Sequence, residues 1–304
     1  MRPGGVHYFI GDFAAFGFKE IHLHQYKPKR HGLLDFWREE GKLIRITDED
    51  MDLKKIAESG QTFRAKMVNE GVYRFIYKSF ALFITKKAPC TFEVSCSPKE
   101  WEKIWIPYFD LENSYFMDPK DFENPYLKKA IEAGKGIRIL RQDPWECLIS
   151  FIISQRKNIP AISSCVEKMS EERGREIKTP RGTLKAFPDP ASLLSDLSSF
   201  KLGYRQDYVR GAAKKVADGE LNLAELANLP DAELKLELKK IKGVGEKIAN
   251  CVLLFGYHRM SCAPVDVWIE KIINEWFKGE NPFPKMGEKA GILQQYLYFY
   301  ARSI

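Results

Sequence analysis

The 304-residue chain lacks several things that would have set its class at once. No apolar run approaches the ~20 residues a membrane-spanning helix needs, and a mean hydropathy of −0.35 is too polar for a membrane protein. The opening residues, MRPGGVHYFIGDF, hold no continuous apolar stretch ending in a small-residue cleavage site. No signal peptide is therefore expected, and the expected location is intracellular (cytoplasm or nucleoid if the source is prokaryotic). The cysteines, Cys90, Cys96, Cys147, Cys165, Cys251 and Cys262, form no C-x-x-C, and none follows Asp266. That argues against a zinc site and against an iron–sulfur cluster. In a reducing compartment they are expected as free thiols. Internal repeats, low-complexity segments and an evident linker are also missing.

What is present is enough for real cores. Hydrophobic residues make up 44% of a chain long enough for two ordinary domains or one large one. The net charge is +7 and the pI about 8.9. A mild basic excess fits an anionic partner such as nucleic acid, although many intracellular proteins share it.

Residues 1–46 are read as an N-terminal extension of unassigned role. His22 and His24 alternate around Leu23, and two polar strand positions explain them better than a metal pair, since no third ligand is near. Lys27 to Arg30, KPKR, is a short basic loop. From 47 to 134 the chain reads as a sheet-containing domain. Val72–Tyr77, Phe80–Ile84 and Thr91–Val94 are short, β-branched or aromatic runs that predict an antiparallel sheet. Gly60 precedes them, either bringing a backbone carbonyl to a ligand or merely leading a strand. At Ser97-Pro98-Lys99-Glu100 the period changes to a capping box, with Trp101, Ile104 and Tyr108 on one helical face. A helix from Pro125 to Ala133 is expected to end at Gly134.

Residues 135–304 read as mostly helical. Asp143-Pro144-Trp145-Glu146 opens a nearly all-apolar helix to Ser154, expected at a domain centre. It ends in Gln155-Arg156-Lys157-Asn158, which is either a contact surface or a solvated terminus. Residues 173–190 are expected as a basic loop, and Tyr204, Arg205, Tyr208 and Arg210 mix aromatics with arginines in a way that suits bases and phosphates.

The densest stretch is Ile241–Asp266. Leu234, Leu238 and Ile241 fall on one helical face, and Ile248, Val252 and Phe255 on another. Between them Gly243-Val244-Gly245 makes a tight turn. Its glycines permit positive φ and present bare N–H groups at a helix start, which suits a phosphate. Lys247 lies in the first turn of the second helix, where the dipole disfavours a cation and the apolar run is expected to desolvate it. Both effects favour the neutral, nucleophilic amine. Pro264-Val265-Asp266 then places a carboxylate at the start of the next helix. Each residue alone has an ordinary explanation, Lys247 as a solvated lysine, Asp266 as an N-cap, Cys251 as a core thiol.

Together these motifs resemble the helix-hairpin-helix DNA glycosylases with a Gly/Pro-rich loop and catalytic Asp, and within them the 8-oxoguanine DNA glycosylase/AP lyases. The likeness runs roughly from Leu53 to Tyr300. It rests on Gly60-Gln-Thr-Phe-Arg64, Leu140-Arg-Gln-Asp-Pro144, Leu202-Gly-Tyr-Arg205, Gly243-Val-Gly-Glu-Lys247 and Pro264-Val-Asp266. It implies an α+β fold, with an antiparallel sheet domain followed by a helical helix-hairpin-helix domain. By this likeness Lys247 is the nucleophile and Asp266 its electrostatic partner. Gly60, Cys251, Pro264, Gln294 and Tyr298 form the oxidised-guanine pocket. Tyr204 wedges into the base stack, Arg156, Asn158 and Arg205 face the opposite base, and Gly243, Val244 and Gly245 hold phosphate. The implied partner is duplex DNA carrying oxidised guanine, bound by a monomer. No cofactor is implied, with a monovalent cation in the hairpin as the one open candidate.

The pattern is broken at four places. Arg156 and Ala161 stand where relatives read the cytosine opposite the lesion, Trp268 where a histidine often grips phosphate, and Lys242 where proline often precedes the hairpin glycine. Two other functions fit parts of the pattern. A monofunctional glycosylase for another damaged base needs Asp266 without the lysine, and a non-catalytic helix-hairpin-helix DNA-binding protein needs only the hairpin.

Overall fold

The computed structural model describes residues 33–34 and 43–304. His22, His24 and the KPKR loop lie outside the described residues. A six-stranded antiparallel sheet has the order β1-β2-β6-β5-β4-β3. Its strands are β1 (Leu33–Leu34), β2 (Ile44–Thr47), β3 (Lys66–Asn69), β4 (Val72–Tyr77), β5 (Phe80–Ala88) and β6 (Thr91–Val94). The chain thus enters the sheet earlier than its strongest strand patterns suggest. β2 pairs along its whole length with β6, so it crosses the expected boundary at 46/47.

β4 shows how the sheet is covered. Tyr73 and Phe75 point into a core shared with Trp101, Trp105, Tyr108 and Phe109. The alternate residues Arg74 and Ile76 face the other way, as the twofold period of a strand requires. Ile76 meets Ile177 and Ala186, while Arg74 is ion-paired with Glu167. Ile177 belongs to a second, two-stranded sheet, β7 (Glu176–Thr179) with β8 (Gly182–Lys185). The basic loop expected over 173–190 is therefore largely a hairpin covering the back of the sheet. Its charges are mostly paired, Lys185 with Glu176 and Arg175 with Asp189.

Ser97 caps the following helical run through its hydroxyl, which accepts from Glu100 N–H at 3.2 Å. The run continues as a π turn over Trp101–Trp105, which buries both indoles. The helix Pro125–Gly134 then packs on the C-terminal helix Ala290–Ser303. Gly134 is the last residue of that helix rather than past its end, and glycine is needed there because a Cβ would lie 2.2 Å from the Tyr296 ring. Its buried residues join the helical core, so packing does not follow a division at 134/135.

At the centre of that core lies the helix Pro144–Ser154, buried along its length apart from its ends. Around it sit Ile159–Arg173, Arg205–Ala217, the pair Asp231–Lys239 and Glu246–Cys251, and Val267–Trp276. Gln61 ties the two layers together. Its Nε2 donates to Arg138 O, its Oε1 accepts from Leu140 N–H, and its carbonyl accepts from Gln142.

Candidate active site

A cavity of about 750 Å³ opens between the Gly60–Phe63 segment and the helices. Its wall brings together Gly60, Arg156, Asn158, Lys247, Cys251, Pro264, Asp266, Gln294 and Tyr298, which are up to 238 positions apart in sequence (298 − 60). Tyr204, Arg205 and the hairpin residues Gly243 to Gly245 are not part of this wall.

Lys247 is held by the first turn of Glu246–Cys251, which begins at Gly245. Its side chain is exposed at the cavity mouth. The apolar run behind it faces the core instead of enclosing the amine, contrary to the expected shielding. Cys251, one turn further on, is buried at the cavity wall, and burial pushes its thiol up to about 12. It stays protonated at neutral pH and forms part of the apolar wall. Asp266 caps Val267–Trp276, its Oδ1 accepting from Trp268 N–H (3.1 Å) and Ile269 N–H (3.0 Å). With both cap bonds on one oxygen, Oδ2 is left for the cavity. The carboxylate is half-buried and close enough to disfavour ionisation of Cys251 and Tyr298.

The opposite wall comes from two layers. Gly60, with φ +79°, sits just beyond the helix Leu53–Glu58 rather than within the sheet. The C-terminal helix faces it with Gln294 and Tyr298. Gln294 Oε1 is buried and accepts no hydrogen bond within the protein. Such an orphan acceptor costs about 1–3 kcal/mol unless a ligand satisfies it. Tyr298 is half-buried, and burial raises its phenol above the ordinary range. Among the described residues, no three His, Cys, Asp or Glu side chains gather to hold a metal.

The hairpin is only partly the turn expected. Gly243 has φ +90°, and a Cβ there would lie 2.4 Å from the Tyr208 ring. Gly245 is extended, with φ −94°, and an added Cβ meets nothing, so glycine is not demanded there. Val244 N–H donates to Ile241 O at 3.0 Å, which removes it from the donors facing a phosphate. Gly243 O accepts from Gln155 Nε2, so the carbonyls a cation could use, Ile241 and Gly243, each already take one hydrogen bond.

Tyr204 is exposed at the start of Arg205–Ala217, as a wedge requires. Arg205 is not placed to face a base. It is buried, its Nε and Nη2 donate to Gln155 O, and Nη1 donates to Leu202 O. Asn158 is also occupied, its side chain capping the next helix through Ala161 N–H. Arg156 is exposed at the cavity rim with φ +52°.

Comparison with known proteins fits this geometry. Residues 43–148 match the family model described as 8-oxoguanine DNA glycosylase, N-terminal domain. The chain is 32% identical to MBOgg1, solved with a low-affinity DNA ligand, covering 90% of this chain and 99% of that one with a TM-score of 0.82. The chain belongs to the 8-oxoguanine DNA glycosylase family. It is also 32% identical to the Clostridium acetobutylicum 8-oxoguanine glycosylase/lyase, solved with duplex DNA containing cytosine opposite 8-oxoguanine (86% and 95% covered, TM-score 0.80). A probable N-glycosylase/DNA lyase of Methanothermobacter thermautotrophicus is 27% identical over 85% of this chain and 96% of its own length.

Several cavity residues of this glycosylase family member escaped the sequence pattern. Phe151 and Phe255 stack at 5.7 Å to form the floor, with Phe63 edge-on to Phe151 at 5.4 Å. Helical spacing marks Phe151 and Phe255 only as core, and Phe63 enters only as part of the Gly60–Arg64 motif. Arg302 stands one helical turn beyond Tyr298, its guanidinium 5.4 Å from that ring. The (i, i+4) relation to Tyr298 was the signal available for it. Trp268 is 45% exposed on the cavity rim.

Proposed function

We propose a division of labour among these residues for the reaction of the family, excision of 8-oxoguanine from duplex DNA followed by cleavage of the abasic site. The hairpin and the start of the Glu246–Cys251 helix hold lesion-strand phosphates. Tyr204 fills the gap in the stack while the damaged nucleotide leaves it, at a cost of a few kcal/mol. The base enters the cavity beside Tyr298 and Cys251. Guanine-type bases carry ring and amino N–H donors, and the unsatisfied Gln294 Oε1 is the acceptor that supports this reading most directly.

Lys247 Nζ attacks C1′, the bond from C1′ to the base breaks, and the departing base takes up the proton lost by the amine. Asp266 stabilises the positive charge developing on the sugar. The sugar ring then opens, the C1′–O4′ bond breaking as O4′ takes up a proton and the nitrogen lone pair forms the protonated Schiff base. This makes the C2′ proton acidic, and its loss expels the 3′ phosphate by β-elimination. The family's chemistry needs no cofactor. No helix among the described residues is long and apolar enough to cross a membrane. We take the working unit to be a monomer on DNA, acting inside the cell.

The presence of Lys247 and Asp266 in the lining of one cavity carries this conclusion. Borohydride trapping on lesion duplexes tests it. Lys247→Gln is expected to bind the duplex without excising or trapping. Undiminished excision by that variant would overturn the assignment, and excision without trapping by the wild type would point to a monofunctional enzyme.

A further inference from the structure

Three segments that face DNA meet away from the cavity, around one side chain. Gln155 is the C-cap of the central helix Pro144–Ser154, just before the backbone turns left-handed at Arg156. Its main-chain carbonyl accepts Arg205 Nε at 2.8 Å and a second bond from Nη2. Arg205 Nη1 reaches back to Leu202 O at 3.1 Å, so the same guanidinium closes the turn that carries Tyr204. In the other direction Gln155 Nε2 donates to Gly243 O at 3.2 Å and to Ile152 O at 3.1 Å. The wedge turn and the hairpin are 50 and 88 positions away in sequence.

The wedge helix also touches the hairpin directly. Tyr208 lies against Gly243, closely enough that no β-carbon fits there. Its ring meets Tyr204 edge-on at 5.8 Å, and the Arg205 guanidinium covers the Tyr204 ring at 4.4 Å. Ending the central helix requires nothing of this kind. The bond to Ile152 is a local helix stop, whereas the bond to Gly243 crosses to another element and adds nothing to that stop.

We propose that Gln155 is a positioning residue that holds the opposite-strand loop, the Tyr204 wedge and the phosphate-facing hairpin in one register. The proposal rests on the reading of the wedge and hairpin given above. In this arrangement the hairpin's grip on the lesion strand fixes where Tyr204 enters the stack, and Arg156 is carried to the facing strand by the same node. A bonded node transmits position well because the left-handed backbone at Arg156 leaves the loop few alternative conformations. Gln155 touches no reacting atom. Its role is felt only where a base must be extruded from a duplex.

That restriction defines the test. Gln155→Met keeps length and loses the donor, and Gln155→Glu keeps shape and sets an oxygen against the Gly243 carbonyl. Each variant is assayed for single-turnover excision from a lesion duplex, and for borohydride trapping on a preformed abasic site in single-stranded DNA. Excision from the duplex is expected to fall about tenfold to a hundredfold, the scale of a small misplacement. Trapping on the single strand, which needs no wedge, should stay within about twofold. Equal losses in both assays, or none in either, would overturn the proposal. Arg205→Lys keeps the charge but cannot make the paired bonds to Gln155 O, and it should show the same split, which keeps the idea testable if a Gln155 variant does not fold. If the wild type itself fails to trap, the lysine assignment falls. The split is then read between lesions in a duplex and in an unpaired bubble, and equal loss on both again overturns the proposal.

Discussion

A β-carbon on Gly60 would lie 3.1 Å from the ring of Tyr298, across the narrow part of the cavity. The same position has φ +79°, where an L side chain costs about 1–2 kcal/mol. Gly60→Ala is therefore expected to lower stability by about that amount and to push Tyr298 into the space for the base. Thermal melting measures the first effect. Single-turnover excision, compared with trapping on a preformed abasic site, measures the second, and the abasic reaction should be largely spared because no base needs the space.

Asp266 does two things that a single substitution can separate. Asparagine caps a helix about as well as aspartate, so Asp266→Asn should change stability by only a few tenths of a kcal/mol. Excision should nevertheless collapse, because the neutral amide cannot stabilise a cationic sugar. Asp266→Ala should lose roughly 1 kcal/mol of stability in addition. If Asp266→Asn excises at the wild-type rate, the carboxylate is only a cap.

Gln294 carries an acceptor that the folded protein leaves unsatisfied. Gln294→Leu removes that burden and is expected to leave the melting temperature unchanged or raise it. The same change should reduce excision of oxidised guanine by about tenfold to a hundredfold, since leaving a buried base donor unpaired costs about 1–3 kcal/mol. Stability and activity moving in opposite directions is the signature to look for in paired melting and excision measurements.

Glu146 provides a pH test. It is buried in the central helix, and burial raises its carboxyl to about 7 from an ordinary 4.5, partly opposed by Arg64. The unfolded chain gives up this proton above pH 4.5, while the folded protein keeps it until near 7. This group's contribution to stability is therefore full below pH 4.5, falls as pH rises through that window and is lost above 7. The loss is of order 3 kcal/mol at about 1.4 kcal/mol per pH unit. Denaturant melts of Glu146→Gln from pH 4 to 8 should lack this decline. Parallel pH curves for variant and wild type would show that the carboxyl is not held protonated.

The legible parts of the molecule were those set by local pattern. Val72–Tyr77 and Thr91–Val94 are strands with the bounds their side chains suggest, and Ser97 caps its helix as the S-x-x-E spacing requires. Lys247 and Asp266 stood out through combined motifs and Cys251, Gln294 and Tyr298 through the family resemblance, and all five line one cavity. What escaped depends on partners distant in sequence. The hairpin over 176–185 hides among basic residues, because the pairing of Lys185 with Glu176 shows only once the two strands lie side by side. Arg205 reads as a surface arginine until the Gln155 carbonyl is placed beside it. Gly243 and Gly245 look equivalent in sequence, but only Gly243 is pressed by a neighbour, Tyr208.

Consecutive glutamines on the C-terminal helix face different tasks. Gln294 Oε1 is left for the cavity, while Gln295 Nε2 donates to the carbonyl of Ser59, next to Gly60. Two glycine contacts lock the helix at this rotation, Gly291 against Leu254 and Gly134 against Tyr296. A residue deleted between Gly291 and Gln294 would turn the following helix by about 100° relative to the Gly291 contact. Gln295 would then take the direction of Gln294, and Gln294 would be carried away from the cavity. This short stretch should tolerate changes of side chain far better than changes of length, a reading-frame constraint imposed by geometry rather than by any one contact.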